Sequence, residues 1–305
     1  MKKTLIPTAE HQRVIASVTD VPEERPAFPI PLNEVGISGK TVWIDMDIDQ
    51  PARLPFTAAI MVNLTGERRG IHMSRIEQVI SELHFRKFAR VTDYGQTLCR
   101  LVLDSQPATT ASVELTGSLP LLRQTAISGR LSVDTVRLSC SVSMQRAGDR
   151  LHSQATTAVG LNHLTACPCT QVYNQCLYET MNTSSPPLAT HSQRSFTTLA
   201  VTTEDDAPAP SPDELIDCLS SALHIAQDLL KRPDEAELVL AAHLRPQFAE
   251  DAVRDTARAV AERLGQKLLP TSGIVVESLS LESIHIHDVR CRLATTLADI
   301  RNCLS

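Results

Sequence analysis

Hydrophobic and polar positions alternate with period two in several stretches of the chain, and this pattern sets the first expectations. Segments 41–49 (TVWIDMDID) and 56–64 (FTAAIMVNL) read as strands, as do 110–119 and 131–146. In the last of these Val136, Leu138, Cys140, Val142 and Met144 fall on one face, and Arg146-Ala147-Gly148-Asp149 reads as a hairpin turn. Between the strand pairs the period lengthens. Ser74 and Glu77 form a capping box that predicts a helix start. Phe88, Val91, Gly95, Leu98 and Val102 then share one helical face. The second half repeats the order, with strands near 151–162 and 194–203 and a short helix with a proline-containing loop over 171–188. Ser211, Pro212 and Glu214 mark a further helix start, after which Leu215, Leu219, Leu223, Ala226 and Leu230 face one way. Another helix is expected from Pro246 to Leu264, stopped by Gly265, before strands near 273–283 and 289–298.

The element order is therefore β-β-α-α-β-β, twice. Antiparallel strands with helices on one face make an α+β layer. A boundary near 147–150 gives a first module over 34–148 and a second over 149–305, preceded by a polar, proline-punctuated arm over 1–33. Such a half-covered sheet has edges to pair or cover, so closure through oligomerisation is plausible.

Composition narrows the function classes. At 305 residues with net charge -6, the chain lacks the basic surface that coats nucleic acid, although one phosphorylated small molecule needs only a local pocket. The opening MKKTLIPTAEHQR has no apolar signal core, and no run approaches a membrane span. The expectation is a cytoplasmic protein whose eight cysteines are reduced.

Four segments carry candidate chemistry. Cys167-Pro168-Cys169 offers thiolates, which are strong zinc or iron ligands, but two ordinary buried cysteines explain it better in isolation. His191 follows a loop and, by spacing alone, is a surface histidine. Lys231-Arg232-Pro233 reads as a helix end, with Asp234 and Glu235 a solvated acidic pair. In Glu282-Ser283-Ile284-His285-Ile286-His287, read as extended strand, the two histidines share a face and suit a metal or acid–base work, or equally a solvent-facing pair with no such role. Together these residue types suit a three-ligand catalytic metal with an open position for water.

The ordered blocks LNEVGI (32–37), GIHMSR (70–75), TACPC (165–169), THSQR (190–194), LLKRPDE (229–235), FAEDAVRD (248–255) and ESIHIHD (282–288) resemble the type IB GTP cyclohydrolases. The resemblance implies a bimodular tunnelling fold and a homotetramer with active sites at subunit interfaces. It implies Cys167, His191 and Glu235 as ligands of one divalent metal (zinc, iron(II) or manganese), with water completing the site. Glu250 matches the carboxylate that anchors the purine, and His285 and Cys169 match positions near the chemistry. Arg75, Arg194, Lys231 and Arg232 are candidates for the triphosphate. The implied reaction converts GTP and water to formate and 7,8-dihydroneopterin triphosphate. The interval from Cys167 to His191 is longer than in compact bacterial members, and the combination TACPCTQ…ATHSQR with the extended end after HIHD leans toward the archaeal-type branch, which makes a cyclic-phosphate dihydroneopterin and favours iron. The rival from another class is a non-catalytic purine- or pterin-binding protein. No nucleic-acid or membrane partner is expected.

Overall fold

In a computed structural model, which describes residues 5–46, 52–180, 189–205 and 207–305, the chain builds one antiparallel sheet with helices along one face. An outlying helix α1 (Thr8–Ser17) and a 3-10 turn (Val21–Glu23) bury nothing. Strands β1 (Leu32–Met46) and β2 (Ala52–Leu64) pair, followed by α2 (Met73–Leu83), the two-residue β3 (Lys87–Phe88) and α3 (Val91–Ser105). Next come β4 (Thr110–Gln124), β5 (Leu131–Ala147), β6 (Arg150–Ala166), α4 (Pro168–Thr180) and β7 (Ser192–Glu204). The chain continues through α5 (Pro212–Ala222), β8 (His224–Ile225), α6 (Arg232–Leu244) and α7 (Ala249–Leu264), then β9 (Gly273–Ser280), β10 (Val289–Thr296) and α8 (Leu297–Leu304).

Among the described residues the strand order is β10-β9-β7-β6-β5-β4-β2-β1-β3, with β8 paired to β6. All pairings are antiparallel except the short one between β1 and β3. The register lines up one residue per strand across the sheet: Phe56, Gly117, Leu138, Val159, Leu199, Val276 and Leu293. That row belongs to the face on which α3, α5 and α7 pack. Each fully buried large side chain along it contributes about 1.5–3 kcal/mol. Gly117 is required there, because a Cβ would stand 2.5 Å from the Phe56 ring. The opposite face carries Arg137, Ser139, Ser141, Thr156 and Thr202.

Cys99, Cys140 and Cys218 are core residues, and burial pushes their thiols up to about 12, 12 and 11. Neutral thiols of this kind act as small hydrophobes. The turn at Gly148-Asp149 joins β5 to β6, with Gly148 at φ +60 as a tight hairpin demands. No helix among the described residues is long and apolar enough to cross a membrane.

Several local expectations are corrected. Ser74 lies inside α2, whose N-cap is His72 with no side-chain cap, so the S-x-x-E pattern does not mark the start. Phe88 belongs to β3 rather than to the helix it precedes. The helix from Pro212 stops at Ala222, because His224 and Ile225 pair with β6, and Ser132 and Asp134 hold the backbone N–H groups of Leu229 and Asp228 in a loop. Lys231 is the N-cap of α6, so Lys231-Arg232-Pro233 opens a helix instead of closing one. Proline at the first turn and Asp234 reaching back to the Lys231 N–H are start signals that outweigh the basic pair. Residues 281–288 are loop, not strand, so the alternation argument for His285 and His287 lapses. α6 and α8 are additional to the expected order, whereas the Ser211 capping box is present as read. The ends of two expected elements, 47–49 and 181–188, lie outside the described residues.

Candidate active site

The sheet opens at the far end of β6. Its pairing with β5 ends at Gly160, and the last residues of β6 pair only with β7 and β8. Cys167 follows directly, just before α4, and its backbone N–H donates to the His191 carbonyl at 3.1 Å, so the end of β6 and the entry to β7 are tied together. The Thr190 hydroxyl donates to the Cys167 carbonyl at 2.7 Å, and the Thr170 hydroxyl lies 3.8 Å from its sulfur. Both residues thus have their backbones fixed.

They line a cleft of about 290 Å³ that also receives Gln193, Gln247, Glu250, Glu282, His285 and His287. Glu250 comes from the first turn of α7, where a carboxylate is favoured by the helix dipole. The rings of His191 and His285 are 6.5 Å apart edge to face, and His285 and His287 stack at 5.3 Å. Gln193 bridges the cleft floor. Its Oε1 is 3.1 Å from His191 Nδ1, and its amide nitrogen donates to Ser280 Oγ and to Glu282 Oε1, each at 3.1 Å.

Behind the floor lies a buried polar chain. His163 bonds Thr197 at 2.8 Å, and Thr197 donates to Ser278 at 2.9 Å. Burial holds the His163 imidazole down at about 4, so the ring is neutral near pH 7.

Of the site residues expected from the sequence, the structure therefore brings together Cys167, His191, Glu250 and His285. Cys169, two positions along at the start of α4, is exposed and outside the lining. Glu235 is exposed on the first turn of α6, whereas the far end of that helix, at His243, takes the Gln171 hydrogen bond from α4. Eight residues of helix, about 12 Å, separate those two points. Cys167, His191 and Glu235 thus do not form a group whose ligand atoms lie within 4.8 Å of one another, and among the described residues that criterion is met by Asp20, Glu23 and His72. That group could hold a metal ion, but it also joins the N-terminal segment to the sheet: Arg68 bonds Glu23 at 3.2 Å, and Arg69 bonds Glu24 at 3.1 Å. The Arg68 hydrogen bond holds the Glu23 carboxyl below its ordinary range.

Arg75 donates to the Ser105 carbonyl at 3.1 Å, away from the cleft. Arg194 lines a separate cavity of about 400 Å³ with Asp134 and Asn162. Lys231 and Arg232 sit at the exposed start of α6. Among the described residues no Lys or Arg lines the cleft itself. Gln193, Gln247 and Glu282 received no role from sequence reasoning. The only signal was position, since Gln193 follows His191 by two residues and shares its face of the strand.

A family model described as type I GTP cyclohydrolase folE2 matches residues 18–291. The chain belongs to this family. GTP cyclohydrolase MptA from Haloferax volcanii is 30% identical over 306 residues, covering 93% of this chain and 97% of the relative. GTP cyclohydrolase MptA 2 from Methanocella arvoryzae and MptA from Methanocaldococcus jannaschii are each 29% identical over 92% of this chain. Among solved structures, a uricase from Bacillus fastidious superposes with a TM-score of 0.52 at 7% identity, covering 88% of this chain and 95% of the uricase. That likeness is one of fold alone, and it fits the α+β tunnelling-fold class expected from the sequence.

Proposed function

We propose that this member of the family is a metal-dependent GTP cyclohydrolase of the type IB class, working in the Cys167–His191 cleft as a homotetramer in the cytoplasm. The observation that carries the proposal is the convergence of a thiol, an imidazole, a carboxylate and a second imidazole in one cleft from four separate stretches of chain. Cys167 and His191 suit a divalent ion of the zinc, iron or manganese group: sulfur and nitrogen donors on rigid strand ends, with the Nδ1 side of the imidazole already engaged by Gln193. Glu235, exposed on α6, is the third ligand implied by the resemblance. When bound, such a metal supplies Lewis acidity, so that water becomes a nucleophile near neutral pH.

The chain's own residues do the rest. Guanine presents an N–H and an amino group side by side, and the two oxygens of Glu250 accept both, which orients the imidazole portion of the purine toward Cys167 and His191. His285, across the cleft from His191, delivers a proton to the ring nitrogen released as the C8–N bond breaks. His287, stacked on it, keeps the His285 ring in place. Among the described residues no Lys or Arg lines the cleft, so Arg75, Arg194, Lys231 and Arg232 would reach the triphosphate from another copy of the chain. This supports interface active sites.

The product is 7,8-dihydroneopterin triphosphate with formate. The second reading, a cyclic-phosphate product with iron, follows from the resemblance of the TACPCTQ…ATHSQR combination and the end after HIHD to the archaeal-type branch. Anaerobic incubation of GTP with the protein and zinc, iron(II) or manganese in turn tests both. Formate release with a pterin of triphosphate mass supports the first, the cyclic-phosphate mass supports the second, and absence of formate with every metal overturns the enzyme assignment.

A further inference from the structure

We infer that Gln193 is a positioning residue that fixes the tautomer of His191, so that Nε2 of that ring is the lone-pair nitrogen offered to a metal. The inference rests on the metal-site reading above and extends it to residues without an assigned role.

The amide of Gln193 has two N–H donors and one acceptor oxygen. Both donors are committed, one to Ser280 Oγ and one to Glu282 Oε1, each at 3.1 Å. The Ser280 hydroxyl in turn donates to the same Glu282 oxygen at 3.0 Å, which closes a triangle of hydrogen bonds. Ser280 is buried at 2% exposure, so water does not substitute for it as a partner. Rotating the amide by half a turn would set its oxygen against the Glu282 carboxylate, acceptor against acceptor. The network therefore directs the Gln193 oxygen at His191 Nδ1, 3.1 Å away. An acceptor facing Nδ1 requires a proton there. In the neutral ring Nε2 is then unprotonated, as a ligand nitrogen must be.

The arrangement also explains the spacing. His191 and Gln193 are two apart at the entry to β7 and share a face, and Ser280 lies opposite Ser195 on β9, which brings Glu282 within reach of the amide. A ligating histidine commonly donates its other N–H to a carboxylate or carbonyl. Here a carboxylate acts one step removed, through an amide.

The test uses the full-length protein. Nitrogen-15 NMR of the His191 ring, after removal of metal by chelator, reads the tautomer. The expected result is a proton on Nδ1 and a bare Nε2; a proton on Nε2 overturns the inference. Zinc affinity by chelator competition is the second readout. Gln193→Ala mixes the tautomers and weakens zinc binding about 10–100-fold. The double exchange Gln193→Glu with Glu282→Gln reverses the bonds within the triangle but keeps an acceptor oxygen facing His191 Nδ1, and restores both the tautomer and the affinity. A Gln193→Ala protein with wild-type tautomer and affinity overturns the inference, as does a folded double variant that stays as weak as the single one. If wild-type zinc binding is absent, or Cys167→Ala leaves it unchanged, the metal-site reading fails, and the tautomer measurement still decides the role of Gln193.

Discussion

His163 offers a quantitative test of the packing behind the cleft. It is fully buried, it bonds Thr197 at 2.8 Å, and burial lowers its imidazole to about 4 from 6.5. The unfolded chain therefore takes up this proton at higher pH than the folded one, and stability falls as pH drops through the interval between the two values. Each pH unit corresponds to ~1.4 kcal/mol, so the full interval amounts to about 3 kcal/mol. Roughly 1.4 kcal/mol of that is lost by about pH 5.5 and about 2.5 kcal/mol by about pH 4.5. His224, also lowered by burial, acts with the same sign, but it is common to both proteins in a comparison with His163→Gln, whose amide keeps a donor for Thr197. Carboxylates held low, such as Asp234 by the Ser128 hydroxyl, lose their contribution only below about pH 4 and fall outside the window. The assay is urea unfolding at fixed protein concentration across pH 7 to 4.5 for both proteins. The difference in unfolding free energy should shift in favour of the variant by about 2.5 kcal/mol toward the acid end. Parallel stability curves would refute the burial argument.

Glu250→Ala should keep its zinc, measured by elemental analysis, while KM for GTP rises at least about tenfold, since a bidentate charged pair of hydrogen bonds is lost; unchanged KM removes the anchor role. His285→Asn should lower kcat by about 100-fold or more with bound metal retained, the usual range for loss of a general acid, and steady-state formate release checks it. Gly117→Ala puts a methyl group 2.5 Å from the Phe56 ring, and thermal unfolding should show a loss of about 1–3 kcal/mol.

Long period-two segments were legible in the sequence because their buried rows run unbroken: Val136 to Met144 appears on β5 as read. Pro212 with the Ser211–Glu214 box was legible for a different reason, since local hydrogen bonds decide it. What failed depended on tertiary partners. The break at Ala222 comes from β8 joining β6 and from Ser132 and Asp134, about ninety residues away, taking the loop N–H groups. The role of Lys231-Arg232-Pro233 turned on Asp234, which accepts from Ile127, Ser128 and Lys231 at the tip of the β4–β5 hairpin. In the cleft, Cys167, His191, Glu250 and His285 were named through the ordered blocks, not from spacing, because their proximity arises from β6, β7, α7 and the 281–288 loop meeting at one corner of the sheet. Gln193 and Glu282 stood inside quoted blocks without a role, and the one inferred for them comes from the hydrogen-bond triangle with Ser280.

The most direct measurement is an anomalous difference map from crystals of the zinc-loaded protein. A metal peak about 2.3 Å from the Cys167 sulfur and about 2.0–2.1 Å from His191 Nε2, facing Glu250 across the cleft, is the predicted result. A peak confined to Asp20, Glu23 and His72, with the Cys167 corner bare, would contradict the account.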